Sequence, residues 1–596
     1  MYQSTKYLIR AFVLITGIVL VLATLFLWIN TYDDFVHFIL QKAGKFDKTE
    51  KFKSEYLTYD KFLFIRYFST LIFIAFTFFI YRIYHFFEEK TVDFAVFLLS
   101  KTKNEILRIS KKDWQVFGLI FAISTGIKLY HFFNQPITND EAFTFLNYVK
   151  PGFLAAASYY KLTNNHILHS LLCNIFDLLP FSPVYTLRIA AFISGLLVLF
   201  AAFIFFNKIF QTPAKFIAFT FFSFTLPVMQ YGILARGYSL LLLFGIISTL
   251  ILMELAHSLK NRKKLWFIYI IASTLGFYSI PVYLYIFFSQ VVFFFTAVFL
   301  EKKNLKYLKE YIIAALITSG FVLILYTPVL IISGIHSLTE YDFMQALPFG
   351  EFIDDYLDFI RNYFIWISGN NLYFAIFSLI ALIFALIYSF KNRKLLFIFI
   401  ISFLTTPLII VFFQRTIFFN RLLIFNTLVV AVNLGLFVEF LILRIKAGIK
   451  KQTVFLAVAS VLMSILLLMS FTKLCKQEKI INLKAYHFAD LIKDNSSIFS
   501  TNEVRYYTFL KFRAEYLDKK KIELFRDNFD KNFPYNYISE DKESNEQFVS
   551  KSNYRYVLIY EDEYISLYQL AGQITGRLVI SNWTSGADYR LLLTVN

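Results

Sequence analysis

Two cysteines in 596 residues, Cys173 and Cys475, are too few for a disulfide framework, and their number alone excludes a cysteine metal site. Charge is also scarce. Asp, Glu, Lys and Arg together make up 17% of the chain against 58% hydrophobic residues, which argues against a string of soluble domains. No repeat at a solenoid period is visible. The first apolar run, residues 8 to 29, lacks a small-residue cleavage site and is expected to stay as an uncleaved first span.

What is present instead is apolar length. Mean hydropathy is +0.58, and run after run is long enough to cross a hydrocarbon layer of roughly 30 Å. The 76 Phe and 39 Tyr suit a lipid-facing surface with aromatic belts at the two interfaces. The expected fold class is an all-α polytopic membrane protein with about 13 spans, near 8–29, 62–84, 113–133, 185–207, 214–233, 236–257, 265–281, 282–300, 311–334, 372–391, 395–413, 419–444 and 452–472. Residues 166–180 are apolar but too short for a comfortable crossing, so an interfacial or re-entrant helix is expected there.

The formal charge of +18 lies wholly in the membrane part. From Lys476 onward there are 17 basic and 17 acidic residues, so the tail is neutral. The Lys and Arg before it cluster between spans rather than on one face, which excludes a nucleic-acid surface and fits basic cytoplasmic loops. Five such loops fall on one side: 108–112, 260–264, 302–309, 391–394 and 444–451. The other side, expected to be extracytoplasmic, then receives residues 30–61, 134–184, 335–371 and the tail. Three domains are expected: 1–112 with two additional spans, 113–473 as the membrane core with its large external loop 134–184, and 474–596 as a small soluble α/β domain. In that domain, residues 504–517, 554–570 and 577–595 read as strand-bearing runs, and 528–553 as a long surface loop.

The chemistry-bearing residues gather on the external side. Asp140 and Glu141 follow the third span. As a helix start, Asn139 or Asp140 would cap and Glu141 would favour the helix dipole; as chemistry, a carboxylate at the membrane surface can serve as base toward an acceptor hydroxyl. Asn164, Asn165, His166 and His169 follow, either as interfacial polar residues or as donors to a phosphate or to sugar hydroxyls. His166 and His169 with Asp140 are also conceivable metal ligands, though His-x-x-His is weak evidence. Arg236, Arg415 and Arg421 lie at the same face, with Arg188 a lesser fourth; each can snorkel to headgroups, and together they can clamp a phosphate. Lys128 and His131 line the same region or anchor their span. Glu439 is expected to pair with Arg444, and Asp354 with Asp355 to cap a surface helix or contact an acceptor. Asn495 and Asn582 head matches to a glycosylation sequon, which arise commonly by chance.

The order of NDEAFTFLNYV, NNHILHSLL, PVYTLRIAAFISGLLVLF, YGILARGYSLLLL and LGFYSIPVYLY resembles the GT-C glycosyltransferases, and within them glycosyltransferase family 39, the branch of protein O-mannosyltransferases and aminoarabinose transferases. The likeness runs over residues 113–445. It implies a polyprenyl or dolichyl phosphate sugar as donor, transfer on the extracytoplasmic face of a cell (inner) membrane, Asp140 as catalytic base and Glu141 in support. It places Arg236 and Tyr238 on the family's arginine-x-tyrosine element and Arg421 on a late-span arginine. Asn164, Asn165 and His166 stand where the family has a charged residue. The implied acceptor is a protein, lipid or glycan, and the implied partners are the lipid donor and the membrane, with no nucleic acid. No cofactor is specified by the sequence, and a divalent metal is left open. The alternatives are a lipid-linked sugar flippase or transporter, and a noncatalytic membrane scaffold.

Overall fold

The computed structural model describes the chain except for residues 1, 44–48, 83, 161–163, 258–259, 301–305, 340–345, 445–448, 501–507, 509, 526–528, 542–547, 562–564 and 574–596. It divides into two compact units, residues 1–482 and 483–596.

The first unit is helical. Its N-terminal part comprises α1 (Tyr2–Ile29), α2 (Tyr32–Ala43), α3 (Thr49–Lys51), α4 (Tyr59–Arg82) and α5 (Tyr84–Leu107). Then come α6 (Lys111–Asn134), the short α7 (Asn139–Thr144), α8 (Phe153–Ser158) and α9 (Ile167–Phe176), and the long α10 (Pro183–Ile209). The chain continues through α11 (Ala214–Phe224), α12 (Leu226–Tyr231), α13 (Tyr238–His257), α14 (Arg262–Ser279), α15 (Tyr283–Leu300), α16 (Lys306–Ile332) and α17 (His336–Thr339). It closes with α18 (Phe349–Ile367), α19 (Leu372–Asn392), α20 (Lys394–Gln414), α21 (Asn426–Arg444) and α22 (Ile449–Asp490).

Among the described residues, eleven helices are long and apolar enough to cross a membrane. The two expected spans outside that set are helical but differ. The run at 214–233 breaks at Thr225 into α11 and α12, because Pro227 in the first turn of α12 has no N–H to continue the upstream ladder. The run at 265–281 is α14, whose 18 residues open on Arg262, Lys263 and Lys264. Residues 167–176 form one ten-residue helix, too short to span.

The core gathers on α10, α11, α13, α15, α20 and α21, whose Phe, Leu and Val side chains form one continuous buried cluster. Of the apolar stretch of α13, 78% is buried within the protein, against 6% for α1 and 0% for α4. The latter pair is therefore left to face lipid. Glu439 pairs with Arg393 at 2.9 Å rather than with the expected Arg444, because α20 follows α19 so closely that Arg393, at their junction, reaches α21.

The second unit carries a five-stranded sheet ordered β2-β1-β3-β5-β4 from β1 (Ser496–Ser500), β2 (Ile522–Phe525), β3 (Tyr537–Asp541), β4 (Tyr554–Glu561) and β5 (Ile565–Gln573). β1 runs parallel to β2 and β3, while β5 is antiparallel to β3 and β4. Residues 554–570 supply β4 and most of β5, as expected. Residues 510–517 are helical rather than extended, with Leu510, Phe512 and Ala514 buried: packing overrides the β preference of the Tyr-rich run. The expected loop 528–553 contains the central strand β3, whose short apolar run hides among polar neighbours. The expected run at 577–595 and the Asn582 sequon lie outside the described residues.

Candidate active site

After α6 the chain turns at Pro136, and Thr138 caps α7. Its Oγ1 accepts from the Glu141 N–H at 3.3 Å, and its own N–H donates to Glu141 Oε2 at 2.8 Å. This is the capping box announced by Thr138-x-x-Glu141. The cap is thus neither Asn139 nor Asp140, and the Asp140 carboxylate remains available.

Glu141 points inward and is fully buried. Arg188, one turn into α10 and equally buried, meets it with two parallel bonds of 2.8 Å, while the Ala235 N–H donates to Oε1 at 2.9 Å. The remaining Arg188 donors go to the carbonyls of Phe132, Gln135 and Pro136. One ion pair therefore joins the end of α6, α7, α10 and the loop 232–237. Burial alone would raise the Glu141 pKa, but the Arg188 charge and hydrogen bonds and the donated backbone N–H groups outweigh it and hold the carboxyl below its ordinary value.

Asp140 turns the other way. Its side chain is 34% exposed, with Oδ2 3.7 Å from Arg236 Nη2 and 3.4 Å from Arg421 Nη1. Arg236 lies in the loop before α13; Arg421 lies in the 3-10 turn Asn420–Leu423 before α21, its guanidinium over the Phe419 ring. Two guanidinium groups share one carboxylate, and the Nε–H of each is buried without an acceptor among the described residues. Unmatched buried donors of this kind fit an anion.

His166, the residue before α9, is held by backbone. The Gly237 N–H donates to its Nδ1 at 2.7 Å, so the neutral ring carries its proton on Nε2, which lies 3.5 Å from Arg236 Nη2. A Cβ on Gly237 would come within 2.9 Å of the His166 Cβ; only glycine permits this approach. Burial, then the Arg236 charge, holds the His166 pKa well below its ordinary value. Tyr238 packs edge-on against the same ring and, tilted, against Tyr231.

The other expected site residues divide. Asn164 offers its carbonyl to Arg236 Nη1 at 3.5 Å. Asn165 is buried with both ends of its amide occupied, donating to the Ala156 and Tyr159 carbonyls and accepting from Ser170; it holds the turn between α8 and α9. His169 is buried against Cys173. Arg415 ends α20 in the left-handed region at φ 52° with an exposed side chain, away from the Asp140 pair. Of the expected substrate ligands, Asn165 and His169 are therefore spent on packing, and Arg415 is not gathered with Asp140. Asp354 and Asp355 are exposed on α18. Lys128 is buried in α6, with Nζ unpaired among the described residues and its side chain under Gly232.

Nor do these donors suit a divalent cation. Asp140 lies between two guanidinium groups, His166 accepts a backbone N–H at Nδ1, and His169 faces a thiol. Among the described residues no three His, Cys, Asp or Glu side chains are grouped as ligands.

A cavity of about 230 Å³ opens beside Arg421, lined by Gln230, Tyr231, Trp366, Asn370 and Asn420 among others. None of these but Arg421 is signalled by the sequence. They come from four separate elements, and nothing in the local pattern of any one marks it.

No protein-family model and no curated protein matches the chain. Among solved structures it is similar to ArnT from Cupriavidus metallidurans bound to undecaprenyl phosphate, at 9% identity and a TM-score of 0.50, over 77% of this chain and 98% of that one. It also shows a weaker similarity to the archaeal oligosaccharyltransferase AglB from Archaeoglobus fulgidus in complex with an inhibitory peptide and a dolichol-phosphate, at 12% identity and a TM-score of 0.44, over 72% and 69% of the two chains. The chain thus shares the fold of ArnT, a GT-C-type bundle of membrane helices, with a small C-terminal sheet.

Proposed function

We propose that this protein is a membrane glycosyltransferase of the family 39 type that moves a sugar from a polyprenyl phosphate to a hydroxyl on the extracytoplasmic face. The observation that carries the reading is Asp140 beside two guanidinium groups whose Nε–H donors are buried and unmatched among the described residues. The fold it shares with ArnT, which binds undecaprenyl phosphate, supports a lipid-linked donor.

In the proposed reaction Asp140 takes the proton of the acceptor hydroxyl as its oxygen bonds to C1 of the sugar, and the bond from C1 to the phosphate oxygen breaks. The electron pair leaves with the polyprenyl phosphate, whose charge rises by one unit. Arg236 and Arg421 stabilise that developing charge, so no separate general acid is required. In-line attack inverts the anomeric centre. Glu141 and Arg188 act as positioning residues that hold α7 and the Arg236 loop together. The basic loops support a site outside the cytoplasm, and the reading takes the membrane to be a cell (inner) membrane.

The test uses the full chain in lipid nanodiscs, a radiolabelled polyprenyl phosphate hexose or pentose, and crude envelope acceptors. Asp140→Asn lowers transfer by about 10²- to 10⁴-fold with lipid binding retained. Arg421→Ala weakens donor binding by about 10- to 100-fold, whereas Arg415→Ala changes it less than about twofold. Transfer by Asp140→Asn at the native rate would overturn the reading. Binding without transfer by the native chain would favour a flippase or a scaffold.

A further inference from the structure

The cavity beside Arg421 has a lining with its own chemistry. Its volume of about 230 Å³ equals that of seven or eight waters at roughly 30 Å³ each, room for one sugar ring and not for an oligosaccharide. Trp366 and Tyr231 give it aromatic walls. Gln230, Asn370 and Asn420 give it amides, and Arg421 lies where it meets the Asp140 carboxylate.

Gln230 is oriented. Its Nε2 donates to Glu478 at 2.9 Å, which leaves Oε1 as an acceptor. Asn370 is held at φ 59° behind Gly369 at φ 94°, a left-handed turn fixed by the Asn370 N–H bond to the Ile365 carbonyl. Asn tolerates that region, and the turn sets its side chain in the lining of the cavity. The amides of Asn370 and Asn420 have no protein partner among the described residues.

We infer that this cavity seats the sugar ring of the donor and selects an uncharged ring, an inference that rests on the transferase reading above. A sugar joined to a phosphate held by Arg421 lies one bridging oxygen from that phosphate, at the mouth of the cavity. The C–H face of the ring packs on Trp366, and the amides pair with its hydroxyls. An amino substituent would find no carboxylate among the described lining residues, and a carboxylate substituent would compete with the donor phosphate for Arg421, the one charged side chain among them; burying an unpaired charge is costly.

The test measures the affinity of the full chain in nanodiscs for polyprenyl phosphate alone and for the same lipid carrying glucose, mannose, glucosamine or glucuronate. The uncharged sugars are expected to tighten binding by about tenfold over the bare lipid phosphate, and the charged ones not. Asn370→Gly, which suits the left-handed turn, and Asn420→Ala should each lower that increment by about three- to fivefold and leave the affinity for bare polyprenyl phosphate unchanged. Bare lipid phosphate bound with no sugar increment, an increment indifferent to both substitutions, or a preference for glucosamine or glucuronate overturns the inference while the transferase reading stands. Failure to bind any of these lipids overturns the transferase reading and the inference with it.

Discussion

Asp140 and Glu141 are neighbours in sequence and opposites in environment. Successive residues on a helix point about 100° apart, and the capping box sets the phase: Glu141 turns back to Thr138 and inward, leaving Asp140 partly exposed beside Arg421. Glu141 meets one arginine through two short bonds with no exposed surface, whereas Asp140 shares two arginines at 3.4 and 3.7 Å and remains a third exposed. The sealed pair has no capacity left for a ligand. The open one has two Nε–H donors unmatched among the described residues. Identical chemical groups thus divide into a strut and the proposed reactive centre according to how completely each is satisfied.

The comparison breaks most sharply at the strut. Glu141→Ala leaves the buried Arg188 charge without its carboxylate, and Arg188→Ala leaves the buried Glu141 without its counter-charge. Each is expected to destabilise the protein by roughly 3–5 kcal/mol, read as a large fall in thermal midpoint or a loss of folded yield in detergent. Replacing both with apolar residues of similar volume, Glu141→Leu with Arg188→Met, should recover part of that loss. Full stability of Glu141→Ala with transfer abolished would instead make Glu141 a participant in the reaction and dissolve the contrast with Asp140.

A smaller effect is expected where the open site meets the backbone. Gly237→Ala drives a methyl into the His166 ring, 2.9 Å from its Cβ and 3.2 Å from Nδ1. Overpacking of this kind costs about 1–3 kcal/mol, and the ring it displaces lies against Arg236. Donor affinity should therefore fall together with thermal midpoint. A variant that loses stability but binds the lipid phosphate normally would show that the position of His166 does not govern the arginine.

These contrasts were only partly legible in the chain. The spans were readable because apolar length is local information: among the described residues 11 of the 13 expected runs form helices long and apolar enough to cross a membrane. Asp140, Arg236 and Arg421 stood out because charge beside a span is costly and therefore conspicuous. The capping box was also legible as Thr138-x-x-Glu141, although Asn139 and Asp140 beside it are equally good caps by residue type. The part played by Arg188 was not. It depends on α10 standing against the end of α6, a tertiary fact that sequence spacing does not carry. Asn165 and His169 misled for the converse reason: polar residues clustered near a site resemble ligands until their partners are known, and theirs are the Ala156 and Tyr159 carbonyls and Cys173.

Acid provides the finest probe of the division between spent and available groups. His166 is held far below its ordinary pKa by burial and then by Arg236; His169 is pushed down to about 3 by the same two causes. Both are neutral in the folded protein at pH 7 and regain an ordinary value near 6.5 on unfolding. Below pH 6.5 the unfolded chain therefore binds protons that the folded chain refuses. The stability tied to these rings is complete above that pH and is lost as pH falls through it, by up to about 1.4 kcal/mol per pH unit for each ring. His166→Asn keeps an acceptor for the Gly237 N–H but cannot titrate. Between pH 7.5 and 5.5 the native protein should thus lose more thermal midpoint than this variant does, with the carboxylates common to both cancelling in the comparison. Equal losses would mean that His166 already carries a proton in the folded state, and its Nδ1 would then be unable to accept from Gly237.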